Sequence, residues 1–553
     1  MRKILQEKSE IYFTIHCILI LVFVFEGVFF PGSQFDLLFT QQMKGYWCLG
    51  VLCFGVFLPV ASVQVSDALQ FIHLINNQTL GEWTDGQIVN DLDFSNITLG
   101  KPLGLQTDGK CISFRGIIQG NNHTIKGLKM KKNNGHAGLF CGLDDATIED
   151  LIFDESCTFN GVVAGSLSVM ASGNVRLESV VNHAKVSGSS FTGGLIGYIE
   201  NASDATIAFV NSENFGTVTG KGNCTGGLVG SIQFIYKSDV VFYNEMNSGL
   251  IDGYTGVGGF LGCMISTSEC MLMIDDSINH NKVIGGGALG GFIGLIQNNT
   301  EMDLFIGETI NNSTVTAQVA KQKYQDGCGG FVGTITNNMN TNIIMNQCTN
   351  NQSVTGVVQI SGFFGATQDL QQCNIYILNC MNKGNVASSF GQSCGFISSL
   401  QNEPDNTFID IYNCKNEGNI SGGKAYGIAP SVRNAINVVG MGFVTGSFSA
   451  YPLWKTSLTM ESCFALNQTV ENATTFSKCD LKCKFCIQGD PQTCVQDLLN
   501  TVSNSFQSDN FLQWDDELNL VEQETVPSSG SLIQSSLIVV LMLSALTLYP
   551  HFL

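Results

Sequence analysis

Gly193-Gly194-Leu195-Ile196-Gly197, Gly226-Gly227-Leu228-Val229-Gly230, Gly258-Gly259-Phe260-Leu261-Gly262, Gly290-Gly291-Phe292-Ile293-Gly294 and Gly329-Gly330-Phe331-Val332-Gly333 are one phrase written five times. Weaker copies surround Gly165, Gly362, Gly395 and Gly427. The steps between the nine marker glycines (165, 194, 227, 259, 291, 330, 362, 395, 427) are 29, 33, 32, 32, 39, 32, 33 and 32 residues. A period this regular marks stacked copies of one supersecondary unit.

The residues between the glycines say which unit. Four copies carry Asn-x-x-Asn-x-Gly upstream: Asn211, Asn214 and Gly216; Asn244, Asn247 and Gly249; Asn379, Asn382 and Gly384; Asn413, Asn416 and Gly418. Short β-rich runs such as Ala205 to Val210 precede them, and Gly, Asn, Thr and Ser interrupt every run too often for a helical repeat. About thirty residues suffice for a coil of three short strands joined by corners, whereas a propeller blade needs about 40 or more. The expected fold class is therefore all-β, a parallel β-helix (β-solenoid) of Gly-rich repeats with a small Cys-rich region after it. Gly194, Gly227, Gly259, Gly291 and Gly330 should supply conformations closed to other residues and let coils approach. Asn214, Asn247, Asn382 and Asn416 should form a ladder at one corner, with Leu195, Leu228, Phe260, Phe292 and Phe331 stacked inside. At a rise of about 4.8 Å per coil the rod is on the order of 45 Å long.

The glycine phrases resemble the GLUG motif of secreted and surface proteins, which include bacterial adhesins and some immunoglobulin A peptidases. The similarity extends upstream to Phe114-Arg115-Gly116-Ile117-Ile118-Gln119-Gly120-Asn121-Asn122-His123-Thr124-Ile125-Lys126-Gly127-Leu128 and to Gly138-Leu139-Phe140-Cys141-Gly142, covering roughly residues 110 to 430. It departs at Ser361-Gly362, Cys394-Gly395 and Tyr426-Gly427, which implies degenerate or capping last coils. The resemblance implies a scaffold and no catalytic set.

The ends read as export and anchoring. Residues 43–62 have a short basic start, an apolar core from Trp47 to Leu58 and small residues at Ala61 and Ser62, as a secretory signal has. Residues 1–42 read as an upstream extension; the alternative is an anchor at residues 11–30. The expected order continues with an N-terminal cap and first coils (63–160), repeats (161–445), a Cys-rich region (446–500) and an acidic linker (501–529). Residues 530–553 resemble a glycosylphosphatidylinositol signal, with Ser528, Ser529 and Gly530 as attachment candidates; a plain tail anchor is the alternative. Twelve Asn-x-Ser/Thr sequons, at Asn77, Asn96, Asn122, Asn201, Asn223, Asn298, Asn311, Asn312, Asn351, Asn419, Asn467 and Asn472, suit a chain routed to the extracellular face of the plasma membrane. The formal net charge of −20 argues against nucleic acid as a partner.

Of 20 cysteines, Cys17, Cys48 and Cys53 lie in the N-terminal segments, leaving an odd 17. Cys380 and Cys414 should stack one coil apart as a disulfide or as buried thiols. Cys463, Cys479, Cys483, Cys486 and Cys494 form the dense cluster, read as a disulfide knob. The Cys479-x-x-x-Cys483-x-x-Cys486 spacing also fits a radical S-adenosylmethionine cluster site, and Gly391-Gln392-Ser393-Cys394-Gly395 fits a nucleophile elbow. Neither has its required surroundings: no barrel in the first case, and in the second no His after the phrase until His551. The acidic run Asp144, Asp145, Glu149, Asp150, Asp154 and Glu155 is read chiefly as a solvated rim, with calcium binding or carbohydrate chemistry as alternatives. The expectation is thus a surface protein of adhesion, recognition or coat formation with a cell-surface or matrix glycan or protein as partner and no cofactor. A carbohydrate lyase or glycosidase is the alternative.

Overall fold

The computed structural model describes residues 62–77, 83–131, 135–318, 327–398, 400–401 and 407–451, together with short strands at 456–461, 464–466, 484–486, 513–514 and 520–521. Within residues 62–451 the chain winds as a right-through stack of parallel coils in which every strand pairs with its equivalent in the next coil. The coil that opens at Ile196 shows the unit: Ile196–Glu200, Thr206–Val210, Glu213–Asn214, Val218–Gly220 and Asn223–Gly226. Five short strands stand where three are expected. The reason is that each turn of chain encloses two cores. Strands one to three wrap the larger, filled by Ile207, Phe209, Leu228 and their equivalents; strands four and five fold back on each other around a thin one of Val218, Ile251, Val257 and Leu289.

Between the two cores the coil narrows to a neck, which accounts for the repeat phrase. A Cβ on Gly194, Gly227, Gly259, Gly291 or Gly330 would overlap the carbonyl oxygen of the matching glycine one coil on, and would press on a neck asparagine. None of these glycines has a positive φ. Their role is close approach and not the unusual conformation expected of them. Against them stands an amide ladder buried from solvent: Nδ2 of Asn182, Asn214 and Asn247 donates to Oδ1 of Asn214, Asn247 and Asn279 at 2.8 Å, and the pattern resumes through Asn311, Asn350, Asn382 and Asn416 at 2.7–2.8 Å. Asn279 interrupts the run, donating to the Gly291 carbonyl at 2.6 Å and the Ser313 hydroxyl at 2.8 Å.

The left-handed corners fall to other residues. The first corner of a coil uses two, such as Asn201 and Asp204 or Asn298 and Glu301; the second uses one, in the series Asn211, Asn244, Asp276, Glu308, Gln347, Asn379 and Asn413, all with φ between 45° and 58°. Such a bend turns the next N–H inward, where it must find a partner. The side chain one coil on supplies it: Val180 N–H donates to Ser212 Oγ, Ser212 N–H to Glu245 Oε1 and Glu245 N–H to Ser277 Oγ. Along the larger core, Phe260, Phe292, Phe331, Phe363 and Phe396 stack with centroids 4.6–5.2 Å apart. At the N-terminal end the helix Ala68–Asn76, capped by Asp67, covers the stack with Ala68, Phe71 and Ile75.

Two consequences can be measured. Gly291→Val should remove the space for the Gly330 carbonyl at the neck and lower stability by about 3 kcal/mol or more, read as a fall in the thermal midpoint. Glu245 takes a position that holds Ser212, Ser277 and Thr309 in neighbouring coils; its Oε2 is buried without a partner, and burial pushes its carboxyl well above the ordinary 4.5. A raised acid pKa means that the fold prefers the neutral form, so stability present below 4.5 is lost as pH rises toward the folded value. Glu245→Ser should make that fall in midpoint smaller.

Candidate binding face

The second strands form a sheet whose inward residues alternate with outward ones, Ile207 and Phe209 in, Thr206, Ala208 and Val210 out. Register places the middle outward residues in one line along the rod: Ala208, Val241, Met273, Phe305, Ile344 and Tyr376. All are half-buried by their strand neighbours and open on their outer side. An outward line this apolar on a solvent-facing sheet is unusual, because the outer face of such a sheet is ordinarily polar. Five steps at about 4.8 Å make it roughly 24 Å long.

Charges close both ends of the line. Arg176 precedes Ala208 and pairs with Glu178 at 2.8 Å; Asp410 follows Tyr376 and is bound by Arg433, whose guanidinium lies 4.0 Å over the Phe408 ring. The flanking lines are mixed. One runs Thr206, Asp239, Met271, Asp303, Asn342, Asn374, with Asn342 donating to Asp303 and Asn374 to Asn342. The other runs Glu149, Glu178, Val210, Tyr243, Asp275. Burial raises the carboxyls of Asp239 and Asp275, and the Glu308 charge raises Asp275 further.

The acidic run divides between the two corners. Asp144 and Asp145 sit at the first corner, where Asp145 binds Arg115 and accepts from Asn174 N and Nδ2 at 3.1 and 3.3 Å; Asp144 lies 3.8 Å from Arg115. Burial pushes Asp145 up, but Asn174 and Arg115 outweigh it and leave the carboxyl below its usual range. Glu149 stands beside Glu178 on the next coil, with Asp150 at the left-handed second corner. Burial, then Glu178, raises both Glu149 and Asp150. The calcium candidates therefore do not converge, and among the described residues no three acids, histidines or cysteines form a metal-binding group. Asp154 caps its own turn, accepting from Ser156 N–H at 2.9 Å. Ser393 of the elbow-like phrase is buried in the thin core and donates to the Ser421 carbonyl at 2.7 Å, a structural position.

Cys380 and Cys414 stack as expected but remain free thiols, not a disulfide. They hold the place of Ser212 and Ser277 and, as those hydroxyls do to Val210 and Asp275, donate to the carbonyl two residues back, Leu378 and Tyr412, at 3.0 and 3.2 Å. Burial pushes the Cys380 thiol well up. Among the described residues the disulfides are Cys111–Cys141 and Cys224–Cys263, pairs no local spacing marks because they are 30 and 39 residues apart in sequence. Cys463, Cys479, Cys483 and Cys494, the secretory segment, and Ser528, Ser529 and Gly530 lie outside the described residues; Cys486 ends the short strand Lys484–Cys486.

Sequons avoid the second-strand sheet. Asn201 and Asn298 share the exposed first corner; Asn312 and Asn351 share a line beyond the third strand, hydrogen-bonded at 2.7 Å; Asn223 and Asn419 are exposed on the thin lobe. Asn77, Asn96 and Asn122 are exposed in the first coils, and Asn467 and Asn472 fall outside the described residues. Asn311 is the exception to surface placement, fully buried as a rung of the neck ladder.

No protein-family model matches the chain, and no curated protein does. Among solved structures it is similar to a candidate immunoglobulin A1 protease from Bacteroides ovatus, at 17% identity and a TM-score of 0.33, over 52% of this chain and 78% of that one. A likeness of that size bears on neither activity nor partner. Glycopeptide mapping of the folded protein should find Asn311 unmodified, since a glycan on its amide would break the neck, while Asn201 and Asn298 are open to modification.

Proposed function

We propose that this chain is an exported, lipid-anchored surface solenoid of the GLUG kind whose work is recognition or adhesion through its second-strand face. The supporting observation is the aligned outward run Ala208, Val241, Met273, Phe305, Ile344 and Tyr376. A face that only had to stay in water would gain nothing from six consecutive apolar side chains, and the part of each left open to solvent invites association. Repetition adds to the effect: equal groups at one spacing let many weak contacts act together on an extended partner. Sequons at the corners and on the other side leave this surface unshielded. Outward residues of one strand line lie outside the two cores, so a binding surface there can be tuned without loss of the fold.

The test is attachment. Cells displaying the full chain should adhere to other cells or to matrix, and the joint substitution Met273→Ser, Phe305→Ser and Ile344→Ser should reduce adhesion about tenfold or more at equal surface display and thermal midpoint. Unchanged adhesion in that variant would sink the reading. Release of soluble oligosaccharide from a polysaccharide by the wild-type chain would replace it with an enzymatic one.

A further inference from the structure

The second-strand face is apolar along its centre and acidic beside it. Asp239 and Asp303 lie on one flanking line and Asp275 on the other, each two residues along its strand from the central residue of its own coil: Val241, Phe305 and Met273. The adjoining corners add Asp276 and Glu308 on one side and Glu301 on the other. The base that these coils place nearby, Lys237, lies 3.6 Å from Glu269 and is engaged there. Toward the N-terminus the same flanking line continues through Glu178 and Glu149.

From this pattern we infer that the partner of the face is a cationic amphipathic polypeptide segment, with apolar side chains over Val241, Met273 and Phe305 and Lys or Arg beside them. The inference rests on the recognition role proposed above. Charge decides among occupants. A chain of net charge −20 repels an anionic lipid surface, and it repels a second copy of itself. A free polyamine has cations but only short methylene spacers between them, and no side chains to cover an apolar line about 10 Å long over these three coils. A polypeptide offers both at the right repeat, since alternate residues of an extended strand are about 7 Å apart and neighbouring strands about 4.8 Å. Burial raises the carboxyls of Asp239 and Asp275, and a cation arriving beside them would favour their charged form.

The full chain displayed on cells is titrated with two fluorescent peptides, a Leu-Lys peptide repeating Leu-Ser-Lys-Ser and a Leu-Glu peptide repeating Leu-Ser-Glu-Ser, so that Leu and the charged residue share one face of the extended strand. The Leu-Lys peptide should bind and the Leu-Glu peptide should not, and binding should weaken with added salt. Asp239→Asn, Asp275→Asn and Asp303→Asn together should weaken Leu-Lys binding about tenfold. A control with the same change in net charge elsewhere, Asp93→Asn, Asp108→Asn and Asp252→Asn, should leave it within about twofold. An equal loss in the control would assign the attraction to overall charge and overturn the inference. If the serine variants of Met273, Phe305 and Ile344 abolish adhesion while the Asp→Asn triple leaves adhesion and peptide binding unchanged, the recognition role stands and the cationic partner falls. Adhesion that persists in both variant sets removes both. Adhesion confined to contacts between two cells that each display the chain, without peptide binding, gives the face to a second copy and overturns the inference.

Discussion

Everything in this rod depends on how closely one coil sits on the next at the neck. There the second glycine of each doublet faces a carbonyl oxygen of the following coil with no room for a Cβ, and a buried asparagine amide closes the remaining space. The amide serves twice. Asn214 donates from Nδ2 to the Gly216 carbonyl at 3.1 Å within its own turn and to Asn247 Oδ1 at 2.8 Å in the next. A buried amide left unpaired would cost about 1–3 kcal/mol, so each rung holds its neighbour in place. Once this contact is set, the strands on both sides are in register, and the period of the sequence follows from the length of chain that one circuit requires.

The neck also explains which features could be read before the structure was known. Doublet glycines and the second asparagine of Asn-x-x-Asn-x-Gly are constrained by backbone contact, so they recur letter for letter and the fold class is legible from them. The thin lobe was not legible. Its inner line needs only one apolar residue per strand, Val218, Ile251, Val283 or Val315, opposite a partner that varies from Thr225 to Val257 to Leu289. The extra length of the 39-residue step falls in this lobe, between Val315–Ala317 and Cys328–Gly329. Left-handed corners were equally hidden, because a position that accepts Asn211, Asp276, Glu308 and Gln347 in turn leaves no constant letter.

The apolar outward line was present in the sequence in a form that local reading misses. Segments such as Asp239–Tyr243 and Ser268–Asp275 look like apolar strands buried on both sides. Only the register shows that Val240 and Leu272 point inward while Val241 and Met273 point out. Aligning the repeats by their glycines would have placed Val241, Met273 and Phe305 in one column, and that is the signal that could have found them. The asparagine at Asn311 shows the converse: a sequon counts as a surface mark until the column it belongs to is seen to be the neck.

A stacked coil separates stability from recognition more cleanly than a globular core does. Inward phenylalanines, neck amides and corner caps each bond to the coil above and below, so their identities are coupled along the whole rod. The central outward residues of the second strand lie outside both cores. Substitution there changes what the surface offers without altering the rise, and lengthening the rod by one coil adds one more equal step to the line. The partner most sensitive to such a surface is one that repeats at the same spacing, and the acidic flanks then select for charge what the apolar line cannot distinguish by shape. On the proposed recognition role, specificity is a matter of which column carries which residue, written across coils about thirty residues apart.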